Sequence, residues 1–101
     1  MLTMDGLRAF IETKTGAPVN RSFIVWDRLR GELSHTCIIE GRAVRHLMPI
    51  EPDMIAPVFA ALFPGVPSAF DFAAAGLNWN DRRAELTIYA NGTRRTYHRT
   101  Y

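Results

Sequence analysis

The feature that most constrains this 101-residue chain is an Asn91-Gly92 pair between two strand-like segments, residues 84–90 and 93–101. Both central residues of a type I′ turn have positive φ, so Asn-Gly is a strong signal for a two-residue hairpin loop. The sequence therefore predicts a C-terminal β-hairpin.

The two faces of this predicted hairpin differ in polarity, because side chains alternate along a strand. One face is mainly apolar and is expected to face the core, with arginines at its rim: Ala84, Leu86, Ile88, Tyr97 and Tyr101, with Arg95 and Arg99. The other face is polar and is expected to face solvent: Glu85, Thr87, Tyr89, Arg94, Thr96 and His98.

A second hairpin is predicted around Glu40-Gly41, between strand-like residues 33–39 and 42–48. Residues 21–26 are rich in β-branched and aromatic side chains and precede this hairpin. Together the three segments predict an antiparallel meander of three strands.

Apolar spacing predicts helices on either side of the meander. The first covers residues 5–14, with Thr3 or Asp5 as its cap and Gly16 and Pro18 at its end. The second opens at Pro52-Asp53 and includes Pro57, which implies a later start or a kink.

A third short helix is predicted over residues 68–75, ended by Gly76, and a polar turn over residues 78–81. The expected fold is α+β: an antiparallel sheet, made of a three-strand meander plus the C-terminal hairpin, packed with about three short helices. We expect residues 1–101 to form a single domain, and no internal repeat is visible in the sequence.

Composition narrows the cellular setting. Cys37 is the only cysteine, so no intramolecular disulfide can form, and a reducing compartment, the cytoplasm, is expected. Asp5 and Arg8 interrupt any apolar leader, and the apolar stretch 54–63 is too short to span a bilayer, so no membrane association is expected. No phosphate-binding or zinc-hydrolase motif occurs, and no cofactor is expected.

Charge is unevenly distributed along the chain. The net charge is +2, yet residues 82–101 contain five arginines against a single acid, Glu85. This asymmetry suggests an acidic partner for the hairpin, and arginines that flank an exposed hairpin and keep it soluble are the alternative explanation. Trp79, between Asn78 and Asn80, is also a candidate for an interface. The predicted partner-binding residues are Tyr89, Arg94, Arg95, His98, Arg99 and Trp79.

A second set of chemically active residues lies in the middle hairpin. A two-residue loop at Glu40-Gly41 places His35 opposite His46, with Cys37 on the same face. Two imidazoles and a thiolate suit zinc or copper, and a Cys–His pair can act as a nucleophile. The spacing matches no established metal motif, and Cys37 also fits a small buried hydrophobe.

These observations support three functional hypotheses. The first is a non-catalytic protein–protein binding module, a small inhibitor or adaptor that engages an acidic partner surface or occludes a nucleic-acid-binding site. The alternative is direct nucleic-acid binding through the arginine-rich hairpin. The third is a metal-binding protein or Cys/His enzyme using His35, Cys37 and His46. An exposed hairpin edge also permits a homodimer by strand pairing.

Overall fold

The computed structural model describes residues 3–49, 55–67, 72–90 and 92–101. It is an α+β fold in which each helix precedes three strands. The elements in chain order are α1 (Met4–Thr15), β1 (Arg21–Asp27), β2 (Glu32–Ile39), β3 (Arg42–Pro49), α2 (Ile55–Leu62), β4 (Ala74–Asn80), β5 (Arg83–Ala90) and β6 (Thr93–Thr100).

The strands form one antiparallel sheet of six strands, in the order β3-β2-β1-β4-β5-β6. The predicted meander and hairpin are therefore parts of one sheet. The strand β4 links them, because it pairs with both β1 and β5. The prediction of a third helix over 68–75 is wrong at Ala74-Ala75, which belong to β4, and residues 68–71 lie outside the described residues. The predicted turn 78–81 is shorter, with Asp81 at a φ of 57°.

The strand β4 forms although Ala, Gly and Asn have low β propensity. Buried Leu77 and Trp79 alternate with exposed Asn78 and Asn80, which is the pattern of a sheet with one covered face. Ladders on both sides bond its backbone, so tertiary pairing overrides local propensity here.

The helix ends follow from local chemistry. The Gly6 amide donates to Thr3 Oγ1 at 2.9 Å, and Gly16 closes α1 in the left-handed conformation at φ 70°. Pro57 lies in the first turn of α2, where a helix amide has no intrahelical acceptor. The predicted opening at Pro52-Asp53 lies outside the described residues.

The architecture repeats although the sequence does not. The units α1-β1-β2-β3 and α2-β4-β5-β6 have the same element order, and the sheet is symmetric about the β1–β4 pair. The β1–β4 ladder is centred on Ile24 opposite Leu77. Trp26 and Trp79 occupy equivalent places at either end of that ladder. We call the two units the first half and the second half.

Both helices pack on the same face of the sheet, where one apolar cluster draws side chains from every strand except β3 and β6 and from both helices. Trp26 of the first half meets Phe59 of α2 edge to face at 5.1 Å. Trp79 of the second half lies 5.2 Å from the Arg8 guanidinium of α1. Because each tryptophan is contacted by the other half's helix, the two halves share one core.

Candidate functional site

The face of the sheet opposite the helices, here called the open face, is not covered by any described element. Its residues alternate with the core residues along each strand. Among them are four large exposed apolar side chains: Phe23, Ile38, Leu47 and Tyr89.

Three of these side chains lie in the first half and form, with Val25, what we call the apolar patch. Phe23 is 48% exposed, Ile38 54% and Leu47 57%. They belong to the neighbouring strands β1, β2 and β3. The register places Ile38 diagonally from Phe23. It places Leu47 in the row of Val25, beyond Ser34. Exposed apolar side chains grouped on one face mark interaction sites on soluble proteins.

The central strand β1 is apolar on both of its faces. Ile24 and Trp26 point into the core, whereas Phe23 and Val25 point to the open face. A continuous apolar run is typical of a strand that is covered on both faces. In this protein only one of those faces is covered by described residues.

The Phe23 ring packs against Gly76 on the open face. It lies across β4 at Gly76, where an added Cβ would be 3.3 Å from the ring edge. Gly76 is buried by this contact. The missing side chain at Gly76 therefore lets the Phe23 ring approach β4 closely while about half of its surface stays accessible.

Three arginines lie on the open face at or near the apolar patch. Arg45 follows Phe23 and Thr36 in the same cross-strand row, and Arg21 lies on β1 beside the patch. Arg83 lies one strand beyond Asn80, the ladder partner of Arg21. All three are exposed, and none forms an ion pair with another residue in the ranges that the structure describes.

A polar depression of about 250 Å³ occupies the second half of the open face. Glu85 and His98 face each other across the β5–β6 ladder there, with the carboxylate and the imidazole 3.6 Å apart. The side chains that line it on the open face come from β4, β5 and β6: Asn78, Asn80, Arg83, Glu85, His98 and Thr100.

The predicted partner-binding residues do not share one surface. Tyr89, Arg94 and His98 lie on the open face, as the hairpin register predicts, because Tyr89 pairs with Arg94. Arg95 is exposed on the opposite face, across from buried Ile88. Arg99 also points to the helix side, where its guanidinium donates to the Leu62 carbonyl at 2.6 Å.

The expectation that Trp79 lies in a turn at an interface is wrong. Trp79 belongs to β4 and is completely buried. Its indole N–H donates to the Tyr101 hydroxyl at 3.0 Å and to the Asp81 carbonyl at 3.1 Å. The alternation of Leu77 and Trp79 with two asparagines was the sequence signal for this placement.

The middle hairpin has the predicted register, with His35 opposite His46 and Cys37 opposite Val44. His35 is completely buried, and its Nδ1 and Nε2 are 2.9 Å and 2.8 Å from the Thr15 and Ser22 hydroxyls. Both ring nitrogens are thus occupied by protein groups. Within the described ranges, no three His, Cys, Asp or Glu side chains converge as metal ligands.

The hydrogen bonds define the protonation of His35. The Thr15 hydroxyl donates to the Ile11 carbonyl at 2.8 Å, so it accepts from Nδ1–H. The Ser22 hydroxyl lies 2.8 Å from Nε2 and 3.5 Å from the Pro18 carbonyl, and donation over the shorter distance to Nε2 leaves the ring neutral. Burial, together with the neighbouring His46, lowers the pKa of His35 below its ordinary value of 6.5, against a smaller opposing effect of Glu12.

Both edges of the sheet are basic. The edge strands β3 and β6 contain arginines and histidine and no acidic residue. Pairing of two copies through either edge would bring cations together, which disfavours self-association. An acidic partner would meet no such repulsion.

The sequence matches no known protein family and no curated protein, and the structure matches no solved structure. Neither described helix has the length and apolar character needed to cross a membrane. The function is therefore inferred from the surfaces of the molecule itself.

Proposed function

We propose that this protein is a non-catalytic protein-binding module that docks through its open face. The observation that supports this best is the apolar patch, where Phe23, Ile38 and Leu47 remain about half exposed on a sheet face that no described element covers. Removing such side chains from water is the main driving force of protein association. A strand that is apolar on both faces has its second face covered when a partner binds.

The dimensions of the open face suit a protein partner. Six strands about 4.8 Å apart, each seven or eight residues long at about 3.4 Å per residue, give a face of roughly 700 Å². A stable interface of standard size takes about 800 Å² from each partner. An apolar centre with a polar and charged rim is also the usual composition of such an interface.

The rim favours an acidic partner. Arg21 and Arg45 adjoin the apolar patch and Arg83 lies two strands from it on the same face, all three without an ion pair in the described residues. A partner that carries carboxylates around an apolar centre would be steered to this face and oriented on it. By occupying such a surface, the module would act as an adaptor or, where that surface is itself functional, as an inhibitor.

Direct nucleic-acid binding through the hairpin is less well supported. That function requires the hairpin arginines to follow a phosphate backbone together. Arg94 and Arg95 instead lie on opposite faces, and the Arg99 guanidinium is engaged by a backbone carbonyl. The exposed apolar side chains of the first half have no role in that hypothesis.

The proposal is tested by capture from a nuclease-treated lysate of the source organism, with wild type, Phe23→Thr and Leu29→Thr as baits. Leu29 is the matched control, because it is 86% exposed but lies in the β1–β2 turn away from the open face. We expect wild type and Leu29→Thr to retain the same protein and Phe23→Thr to lose it at least tenfold, as for an interface hot spot. Equal retention by all three baits would contradict the proposal.

Two further measurements keep that test interpretable. Thermal unfolding should show that Phe23→Thr is folded, since threonine favours strands and exposed substitutions change stability little. Sedimentation of wild type alone should give a monomer. If wild type is a dimer and Phe23→Thr is a monomer, the open face binds a second copy of this chain. That result would overturn the proposal of a different protein partner.

A further inference from the structure

The apolar patch and the polar depression are continuous on the open face. In the antiparallel ladders, Phe23 lies opposite Asn78, which lies opposite Glu85, followed by His98. The adjacent row contains Arg21, Asn80, Arg83 and Thr100 in the same strand order. The depression therefore begins on the strand next to the Phe23 ring.

The depression has unused hydrogen-bonding capacity. The side chains of Asn78, Asn80 and Thr100 make no hydrogen bond with another described residue. Each of them can donate to an oxygen atom of a ligand. Together these three side chains can bond an acceptor group of a ligand.

The charge balance of the depression favours an anion. Among the described residues Glu85 is the one acid that lines the depression, against the guanidinium groups of Arg83 and the neighbouring Arg21, which form no ion pair there. A guanidinium and a carboxylate form a paired, charge-assisted contact that an amide cannot reproduce. The carboxamides and the hydroxyl would bond the remaining lone pairs of such an anion.

We infer that the depression receives an aspartate or glutamate side chain of the same protein that covers the apolar patch. This inference rests on the proposed function and specifies the chemistry of the partner. Phe23 on β1 and Arg83 on β5 are two strands and one side-chain row apart, which is roughly 12 Å. The partner thus presents an apolar side chain and, about 12 Å from it, a carboxylate.

A peptide selection tests this inference. Immobilised wild-type protein is used to select from a displayed library of random twelve-residue peptides. We expect the enriched sequences to combine an apolar residue with Asp or Glu. The tightest binder, made synthetically, should lose about tenfold or more in affinity for Arg83→Gln, the effect of one charge-assisted hydrogen bond. Arg95→Gln is the control, because Arg95 is exposed on the opposite face of the sheet, and it should change affinity less than twofold.

A thermodynamic cycle identifies the group that occupies the depression. Replacing the peptide's acid by its amide should weaken binding to wild type and have little further effect on Arg83→Gln. Enriched peptides without acids, or binding that Arg83→Gln does not change, would overturn the inference. If that binding still depended on Phe23, the proposed function would stand. Failure to obtain any Phe23-dependent peptide, or tighter binding of a twelve-nucleotide RNA than of every peptide, would count against both.

Discussion

The two halves of this protein share an architecture and differ in where they carry buried polar and exposed apolar side chains. In the first half the helix side includes buried His35 and Ser22, and the open face includes Phe23 and Ile38. In the second half the helix side includes buried Leu86, and the open face includes Thr87 and the two asparagines of β4. His35 and Leu86 occupy the same place relative to their hairpin loops.

This difference separates what the fold requires from what it leaves open. Alternation, hairpins and one covered face are common to both halves, because the sheet needs them. The equivalent core sites hold His35 in one half and Leu86 in the other. The His35 site supplies hydroxyl partners for the ring, and the Leu86 site is apolar. The apolar open face of the first half is not needed to build the sheet, so we assign it to binding.

The largest effect is expected for Leu86→Ala. Leu86 is completely buried between the ladder partners Leu77 and Tyr97. Removing its side chain should lower the free energy of unfolding by about 2–5 kcal/mol, because a buried cavity remains. Chemical denaturation measures this change. A loss below about 1 kcal/mol would mean that Leu86 is not tightly packed in the core.

A smaller loss is expected for His35→Leu. The substitution fits the equivalent site of the other half but leaves the Thr15 and Ser22 hydroxyls without their ring partner. An unsatisfied buried hydroxyl costs about 1–3 kcal/mol. Adding Ser22→Ala and Thr15→Val should restore most of the stability, since both hydroxyls are then removed and only the Asn20 amide, 3.3 Å from Ser22 Oγ, loses an acceptor. If the triple variant is no more stable than His35→Leu, the hydroxyls do not explain the loss.

The stability should depend on pH through His35. Its pKa in the folded protein is lowered, mainly by burial, so the folded state binds fewer protons than the unfolded state below pH 6.5. The free energy of unfolding therefore falls as the pH drops from 6.5 toward the folded pKa, and is flat above about pH 7.5. Denaturation from pH 5 to 8 should show this slope in wild type and a weaker slope in His35→Leu.

The smallest effect is expected for Gly76→Ala. Its new Cβ would be 3.3 Å from the Phe23 ring, which offsets the gain of about 0.5–1 kcal/mol from replacing a strand glycine. In the Phe23→Thr background that obstacle is gone, so Gly76→Ala should stabilise the protein. Equal effects in the two backgrounds would show that the ring does not rest on Gly76.

The sequence was most informative where structure is local. The helix α1 and both hairpin registers follow from capping residues, turn glycines and alternation within one segment, and the structure confirms each of them. Glu40 and Gly41 have the positive φ values that a two-residue loop requires.

The remaining features depend on contacts between distant segments. The strand β4 is weakly encoded, because its residues gain from pairing with β1 and β5 rather than from their own propensity. The open face was missed for the same reason. The Phe23-Ile24-Val25-Trp26 run predicts a strand, but only the positions of both helices identify which of its faces lacks a cover.

The most direct test of the central claim is methyl NMR of the isoleucine-, leucine- and valine-labelled protein, titrated with the captured partner. The account predicts that the methyl signals of Ile38, Leu47 and Val25 shift or broaden on binding, whereas those of Leu29 in the β1–β2 turn stay unchanged. Changes at Leu29, with Ile38 and Leu47 unaffected, would contradict the assignment of the open face as the binding surface.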